Sequence, residues 1–243
     1  MTSRSRVAGR CAIVTGGTRG IGRAITFALL ERGASVLLCS RSAGDVARAV
    51  DELGKRHEGR VFGVECDVSD SAQVDALFRE AVRRLGRIDI LINNAGRGSE
   101  SYVEDMGDGE WLSVLGTNLS GVFYCCRAAV PLMKRAGGGY IINIGSLAGT
   151  SGFAGGAAYC ATKFGLIGFS ESLMQEVRHE HIRVSCVMPG SVNTSFGRHT
   201  EQERAKTWKL WPEDVAEVVV DLLEIDPRAL ASRVELRPSE PKK

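Results

Sequence analysis

Arg10-Cys11-Ala12-Ile13-Val14-Thr15-Gly16-Gly17-Thr18-Arg19-Gly20-Ile21-Gly22 is the stretch that decides the fold. Residues 11–15 form a short apolar run of strand character. Glycines crowd the next seven positions, and Ile21, Ile25, Ala28 and Leu29 then recur at helical spacing. Strand, glycine turn and amphipathic helix make the setting in which such a cluster acquires meaning. Glycine permits the tight turn and lets the backbone approach a pyrophosphate closely. The helix N-terminus adds free N–H groups and a positive dipole end. The spacing is G-x-x-x-G-x-G, so the familiar G-x-G-x-x-G is not matched letter for letter. An ordinary glycine-rich βα loop would read the same way at this point.

Outward from that loop the alternation continues. Strand-like runs lie near 11–15, 35–40, 61–66, 88–93, 139–145, 182–188 and 232–236, with helical patterns between them. Residues 70–85 place Val74, Leu77, Phe78, Ala81, Val82 and Leu85 on one face, and residues 212–224 do the same with Val215, Val218, Val219, Leu222 and Leu223. One helix is expected from about Gly107 to Arg135 and another after Tyr159. Strands alternating with helices imply right-handed βαβ units. The expectation is a single α/β, doubly wound, Rossmann-type domain over 1–243 with a mostly parallel, seven-stranded sheet. No linker or repeat interrupts it, and residues 1–8 and 238–243 read as flexible tails. Such a sheet takes its ligand at the carboxyl ends of its strands. Gly16, Asp67, Asn93 and Ser146 all follow strand ends, which puts them on one edge.

Composition narrows the function classes. A chain of 243 residues that is 44% apolar suits one substantial core. A net charge of +2 supplies no field for nucleic acid or an acidic membrane, so neither is expected as a partner. Arg83, Arg84 and Arg87 read as a solvated helix end. No run resembles a signal peptide or a bilayer span. Seven cysteines with no CxxC pair fit a reduced cytoplasm. Cys11, Cys39, Cys66 and Cys186 sit in strand-like runs as small hydrophobes. The sequons at Asn118 and Asn193 are then coincidental. The histidines lack zinc-ligand spacing, so no metal is expected, and His179-Glu180-His181 reads as an exposed helix end.

Candidate chemistry sits in Ser146, Tyr159 and Lys163. Tyr and Lys four apart share a helix face. An ammonium there favours phenolate over phenol. An ordinary tyrosine, with a pKa of about 10, is a poor base at neutral pH, and lowering it by about 3 units takes roughly 4 kcal/mol. A lysine and a cationic cofactor ring in a partly desolvated site are the means to that end. The pair alone also occurs on many surface helices that do nothing of the kind.

The loop and the trio together resemble the short-chain dehydrogenase/reductase family, in its branch of about 250 residues. Thr15-Gly16-Gly17-Thr18-Arg19-Gly20-Ile21-Gly22 is similar to that family's cofactor loop. Asp67-Val68 resembles its adenine-contacting pair, Asn93-Asn94-Ala95-Gly96 its central-strand motif and Asn118 its catalytic asparagine. Ser146, Tyr159 and Lys163 resemble its catalytic core. Pro189-Gly190 with Val192 and Thr194 resembles its nicotinamide-side loop. The motifs stand in the family's order over about residues 8–225.

An acidic residue after the second strand would select NAD through the ribose. Here Val36-Leu37-Leu38-Cys39 ends in Ser40-Arg41. Arg41 and Arg19 are two cations near the expected ribose, suited to a 2′-phosphate by charge and bidentate geometry. In the family, basic residues at both positions are typical of NADP-preferring members. A plainer role for Arg41 is to snorkel at a strand end. The expected cofactor is NADP(H).

The resemblance implies an oxidoreductase that moves hydride between the nicotinamide and a small carbonyl or secondary alcohol. In it Tyr159 is the acid or base. Lys163 tunes Tyr159 and holds the nicotinamide ribose, Ser146 stabilises charge on the substrate oxygen, and Asn118 holds a relay water. A serine hydrolase lacks support, because Ile144 stands where a G-x-S-x-G elbow needs glycine. The segment 190–211 should cover the substrate and carries Phe196, Trp208 and Trp211, with core packing the plainer role for Trp211. Gly152, Gly155 and Gly156 suggest an open rim opposite. The alternatives are a 3-oxoacyl thioester reductase, or a nucleotide-binding regulator of the same fold without turnover. The ending Val234-Glu235-Leu236-Arg237-Pro238 replaces the glycine-rich run usual in oxoacyl reductases. Val122, Phe123, Leu166, Ile167 and Phe169 exceed what one helix face against a sheet requires. In the family those helices form a dimer interface, so a homodimer or homotetramer is expected.

Overall fold

The computed structural model describes residues 5–194 and 208–241. Seven strands form one sheet in the order β3-β2-β1-β4-β5-β6-β7. They are β1 (Cys11–Thr15), β2 (Ser35–Ser40), β3 (Val61–Glu65), β4 (Ile90–Asn93), β5 (Gly139–Ile144), β6 (Ile182–Pro189) and β7 (Arg233–Leu236). Every neighbouring pair is parallel, so the sheet is wholly rather than mostly parallel. The order reverses beside β1: the chain runs outward through β2 and β3, then returns to place β4 on the other side. That switch point, between β1 and β4, is where an open sheet of this kind holds its ligand.

The helices are α1 (Gly20–Glu31), α2 (Ala43–Gly54), α3 (Ser71–Leu85), α4 (Asp108–Leu115), α5 (Gly121–Ala136), α6 (Ala157–Val177) and α7 (Pro212–Glu224). Their apolar stripes cover both sheet faces. Ala12 and Val14 of β1 join one core with Leu29 and Leu30 of α1, Val46 of α2 and Val219 of α7. Ile13, between them, points to the other core, with Leu77 of α3, Val122 of α5 and Leu166 of α6. This is the period-two alternation of a strand buried on both faces, and it explains the continuous apolar runs.

The helix expected over Gly107–Arg135 is interrupted. Gly116–Ser120 forms a π turn between α4 and α5, and Asn118 sits inside it. Single π turns of this sort recur at functional sites, because the extra residue re-aims a side chain. The tail expected over residues 1–8 also needs correction over its described part. Val7 is buried in the first core. Ser5 Oγ bonds the carboxylate of Glu224, and Arg6 N donates to Glu224 Oε2 at 2.9 Å. At the other end, Pro238 and Pro241 of the expected tail lie against the main cavity. Trp211 is not core: it is 51% exposed, and it heads α7, its backbone N–H donating to Asp214 Oδ2 at 2.7 Å.

His179, Glu180 and His181 are exposed. Arg83 and Arg84 both pair with Glu80, and Arg87 with Asp89. All seven cysteines are free and buried. Among the described residues no helix is long and apolar enough to cross a membrane, and no cluster of metal-ligating side chains is found.

Candidate active site

A cavity of about 1070 Å³ opens at the carboxyl ends of β1, β4, β5 and β6. Its floor is the glycine loop. Gly16 and Gly20 have φ of +64° and +52°, the left-handed region that glycine adopts without strain. Gly22 is small for a different reason: a Cβ there would lie 2.2 Å from Gly16 O and 2.4 Å from Asn94 Nδ2. The loop is thus pressed against the turn after β4. Asn94 Nδ2 donates to Thr15 O at 3.0 Å and Gly16 O at 3.1 Å, while Thr15 Oγ1 accepts from the N–H groups of Asn94 and Ala95, each at 3.0 Å. Thr15 is therefore a buried brace, and Gly16, Arg19, Gly20, Ile21, Asn94, Ala95 and Gly96 form the wall.

The start of α1 differs chemically from its neighbours. Ser42 caps α2 through Asp45 N, and Asp70 caps α3 through the N–H groups of Ala72 and Gln73. Arg19, at the same position of α1, makes no side-chain capping bond. The first N–H groups of α1 are thus left to a ligand, where the helix dipole favours an anion. Arg19 and Arg41 are exposed, and neither makes an ion pair among the described residues.

Thr18, Ser40, Arg41, Asp67 and Val68, also expected contacts, do not line the cavity. Ser40 ends β2 and Asp67 follows β3, so both stay on the expected edge. Asp67 Oδ1 accepts from Ser69 N at 2.9 Å and Ser69 Oγ at 2.7 Å. Val68 is buried in the second core. On the far side Pro189, Gly190, Val192 and Thr194 do line the cavity. Gly190 N donates to Leu236 O at 2.8 Å, which ties this loop to β7. Phe196 lies outside the described residues, as do all of 195–207. Trp208 lines the cavity.

Ser146, Tyr159 and Lys163 meet in one wall. Ser146 leaves the end of β5, and its Oγ accepts from Ala148 N at 3.1 Å. Tyr159, in the first turn of α6, hydrogen-bonds Ser146. Lys163 is buried; its Nζ donates to Ile144 O at 2.8 Å and lies 5.6 Å from the centre of the Tyr159 ring. The expected lowering of the phenol calls for both the lysine and a cationic cofactor ring; in the protein alone burial dominates. Burial pushes Tyr159 up, and the Ser146 hydrogen bond only partly opposes it. Burial also pulls Lys163 down to about 8. The reason is geometric: the ammonium is engaged by a backbone carbonyl, and both groups have left water for a poorly polar wall.

Asn118 is 1% exposed and does not reach the cavity. Its Oδ1 accepts from Arg97 N at 2.7 Å, while its Nδ2 donates to Arg97 O at 2.9 Å and Thr162 Oγ1 at 3.2 Å. The side chain thus fastens the turn after β4 to α6, one residue from Lys163. The described contacts of the Asn118 side chain are thus positioning ones.

Sequence reasoning missed a polar patch on the same cavity. Ser99 Oγ donates to Glu110 Oε1 at 2.9 Å, and Ser101 Oγ reaches both carboxylate oxygens, at 3.0 and 2.9 Å. These residues join an irregular loop to the first turn of α4, so no periodicity could reveal them. The expected open rim is also more constrained than its glycines suggest. A Cβ on Gly156 would lie 2.5 Å from the ring of Phe153, so the ring packs on that glycine.

Comparison with known proteins adds independent findings. The family described as short chain dehydrogenase matches residues 10–205. The 3-oxoacyl-[acyl-carrier-protein] reductase FabG of Salmonella typhimurium (strain LT2) is 40% identical over 190 residues, 78% of this chain and 76% of that protein. The 3-oxoacyl-[acyl-carrier-protein] reductase of Mus musculus is 38% identical over 196 residues, 81% and 80% of the two chains. Among solved structures, a metagenomic short-chain oxidoreductase in complex with NADP superposes with a TM-score of 0.85 at 34% identity, covering 98% of this chain and 100% of that one. The closed form of serine dehydrogenase complexed with NADP+ gives 0.86 at 30% identity, with 93% of each chain covered.

Proposed function

The chain belongs to the short-chain dehydrogenase family, and from that premise we propose an NADP(H)-dependent oxidoreductase acting on a carbonyl or secondary alcohol through Tyr159. The observation that carries this reading is the shared wall of Ser146, Tyr159 and Lys163 beside an uncapped helix start. The site fits a nicotinamide dinucleotide: the glycine cradle leaves no room for side chains, and α1 offers its N–H groups to a pyrophosphate. Gly16, Gly20, Ile21 and Asn94–Gly96 would hold the dinucleotide from one side, with Pro189, Gly190, Val192 and Thr194 on the other. Thr18, Ser40, Asp67 and Val68 would flank the adenosine. When bound, the cofactor supplies or takes up the hydride.

The remaining work belongs to the chain. In reduction, Tyr159 Oη gives its proton to the substrate oxygen as negative charge develops there. Its raised pKa keeps that proton in place at neutral pH. Ser146 Oγ donates to the same oxygen. Lys163, with a pKa of about 8, is still cationic at pH 7 and stabilises the phenolate left behind. Asn118 keeps α6 in register with the turn after β4. In oxidation the phenolate is required first, so that direction should gain with rising pH.

The similarity to 3-oxoacyl reductases supports a second reading, a 3-oxoacyl thioester substrate. The similarity to serine dehydrogenase supports a small polar one. Steady-state NADPH oxidation over ketones, aldehydes and 3-oxoacyl thioesters, with NADP+ reduction over small polar alcohols such as serine, tests all three. No turnover with any substrate, despite tight NADPH binding, would leave a nucleotide-binding regulator as the function.

NADP(H) preference rests on Arg19 and Arg41. Arg41→Asp puts a carboxylate against the 2′-phosphate, so the variant should bind NADH more tightly than NADPH, reversing the parent. An unchanged ratio in fluorescence titrations of both cofactors would remove Arg41 from that role.

Assembly rests on exposed apolar side chains of the helices over the second core. Trp111 and Leu112 of α4, Phe123 of α5 and Phe164 of α6 are 39%, 64%, 42% and 49% exposed. Val122 and Leu166, expected on that surface, are buried within the protomer instead. Large exposed aromatics on adjacent helices mark an association surface. The chain should form at least a dimer, and Phe164→Asp should weaken it. A monomer mass for the parent in light scattering at micromolar concentration would count against this.

A further inference from the structure

We propose that the chain's own C-terminal segment, with Pro238 and Pro241, is the specificity wall of the cavity and takes an apolar substituent, alkyl or aryl, of the substrate carbonyl. The proposal rests on the oxidoreductase reading and names its substrate class. Three observations carry it. Pro238 and Pro241 line the cavity that Ser146 and Tyr159 line. Pro238 also stands at the reacting end. A Cβ on Gly190 would lie 3.2 Å from Pro238 Cδ and 3.1 Å from Leu147 Cδ1, so both side chains press on one glycine, and Leu147 directly follows Ser146. And the segment is anchored where it leaves the sheet: Leu236 pairs with Pro189 in the parallel ladder of β7 and β6, and Leu236 O accepts from Gly190 N at 2.8 Å. The family match ends at residue 205, so residues outside it build this wall.

The chemistry follows from what the wall offers. Proline has no N–H to donate, and its ring fixes φ. It also biases the residue before it away from helix. Two prolines in four residues therefore leave the segment few conformations to lose when it lies along the cavity. Leu147, Val192 and Trp208 line the same cavity. A polar substituent against such a surface gives up water for carbon. An alkyl group gains about fourfold in binding for each methylene buried. Two cations, Lys209 and Arg237, also line the cavity and would favour a carboxylate instead. Arg237 is engaged, its Nη2 donating to Glu235 Oε2 at 2.7 Å, and Lys209 Nζ lies 5.9 Å from the centre of the Trp208 ring. The plainer role for Pro238 is to end β7, because it cannot donate to the ladder. That role predicts a change of stability and none of selectivity.

The test uses the intact protein with NADPH and methyl ketones whose second substituent is an unbranched alkyl chain of increasing length, beside the same chains ended by a carboxylate. The wall predicts that kcat/KM climbs with alkyl length by up to about fourfold per methylene, chiefly through KM, until the wall is covered. Pro241→Gly removes the ring. It should lower the ratio of longest to shortest ketone by about tenfold, with the NADPH dissociation constant and the melting temperature as in the parent. Pro238→Ser should lower that ratio in the same sense. Pro241→Trp narrows the cavity and should end the climb at a shorter chain. A parent that prefers carboxylate-ended chains, or treats all alkyl lengths alike, overturns the proposal. So do Pro241→Gly and Pro238→Ser variants that keep the parent's climb or slow every ketone by the same factor. A parent that turns over no ketone, aldehyde or thioester removes the oxidoreductase reading itself, which is a separate result.

Discussion

Tyr159→Phe is expected to lose turnover by about 10²–10⁴-fold, the range of a positioned acid–base group, while binding NADPH like the parent. The substitution deletes one oxygen and leaves the ring. The ring's packing in α6 should therefore survive, and so should Lys163, whose own hydrogen bond runs to Ile144 O rather than to the phenol. Burial raises the Tyr159 pKa, and that sharpens the expectation. For reduction the neutral phenol is the competent form, so the parent should work on a plateau through neutral pH and fall off as the phenol ionises. For oxidation the phenolate is competent, so the parent's rate should climb with pH. In Tyr159→Phe both dependences vanish with the group. Rates in both directions across pH, with cofactor titrations, measure this. A variant that turns over like the parent would remove Tyr159 and the mechanism together.

The sheet was legible because its strands are covered on both faces. A strand such as Ala12-Ile13-Val14 sends alternate residues into two cores, so the run stays apolar throughout and stands out from the amphipathic helices. The strand pattern then placed Gly16, Asp67, Asn93 and Ser146 at one edge. Less legible were features that depend on where an atom points. The spacing of Tyr159 and Lys163 gives a shared helix face, but not the carbonyl of Ile144 that claims the ammonium. The π turn adds a residue inside a run whose periodicity reads as one helix. Just after it the chain packs closely on a distant segment: a Cβ on Gly121 would lie 2.9 Å from Val68 O, on a loop far away in sequence. Val7 is a single apolar residue in a polar stretch, too short for any period, and its burial depends on partners such as Glu224. The Ser99–Ser101–Glu110 patch joins loop to helix and has no sequence pattern at all.

Lys163 is where stability and function oppose each other, and Lys163→Met should expose the conflict. Burial lowers the lysine from 10.5 to about 8, a shift of about 2.5 units that corresponds to about 3 kcal/mol of folding stability. The sign follows from proton counting. Between pH 8 and 10.5 the unfolded chain holds a proton that the folded chain has released, so stability rises with pH across that window. Below pH 8 the penalty is present in full. Methionine fills similar space without charge, though it leaves Ile144 O without its donor, a loss of about 1 kcal/mol. At pH 7 Lys163→Met should therefore be more stable than the parent by about 2 kcal/mol, and the gap should close toward pH 10. Its turnover should collapse, because nothing then stabilises the phenolate. NADPH binding should weaken as well if the same ammonium serves the nicotinamide ribose. Urea unfolding of both proteins at pH 7 and pH 10 isolates the lysine, since every other titrating group is common to the two. A variant less stable than the parent at pH 7 would mean that the Ile144 hydrogen bond outweighs the buried charge. The lysine would then belong to the fold as much as to the chemistry.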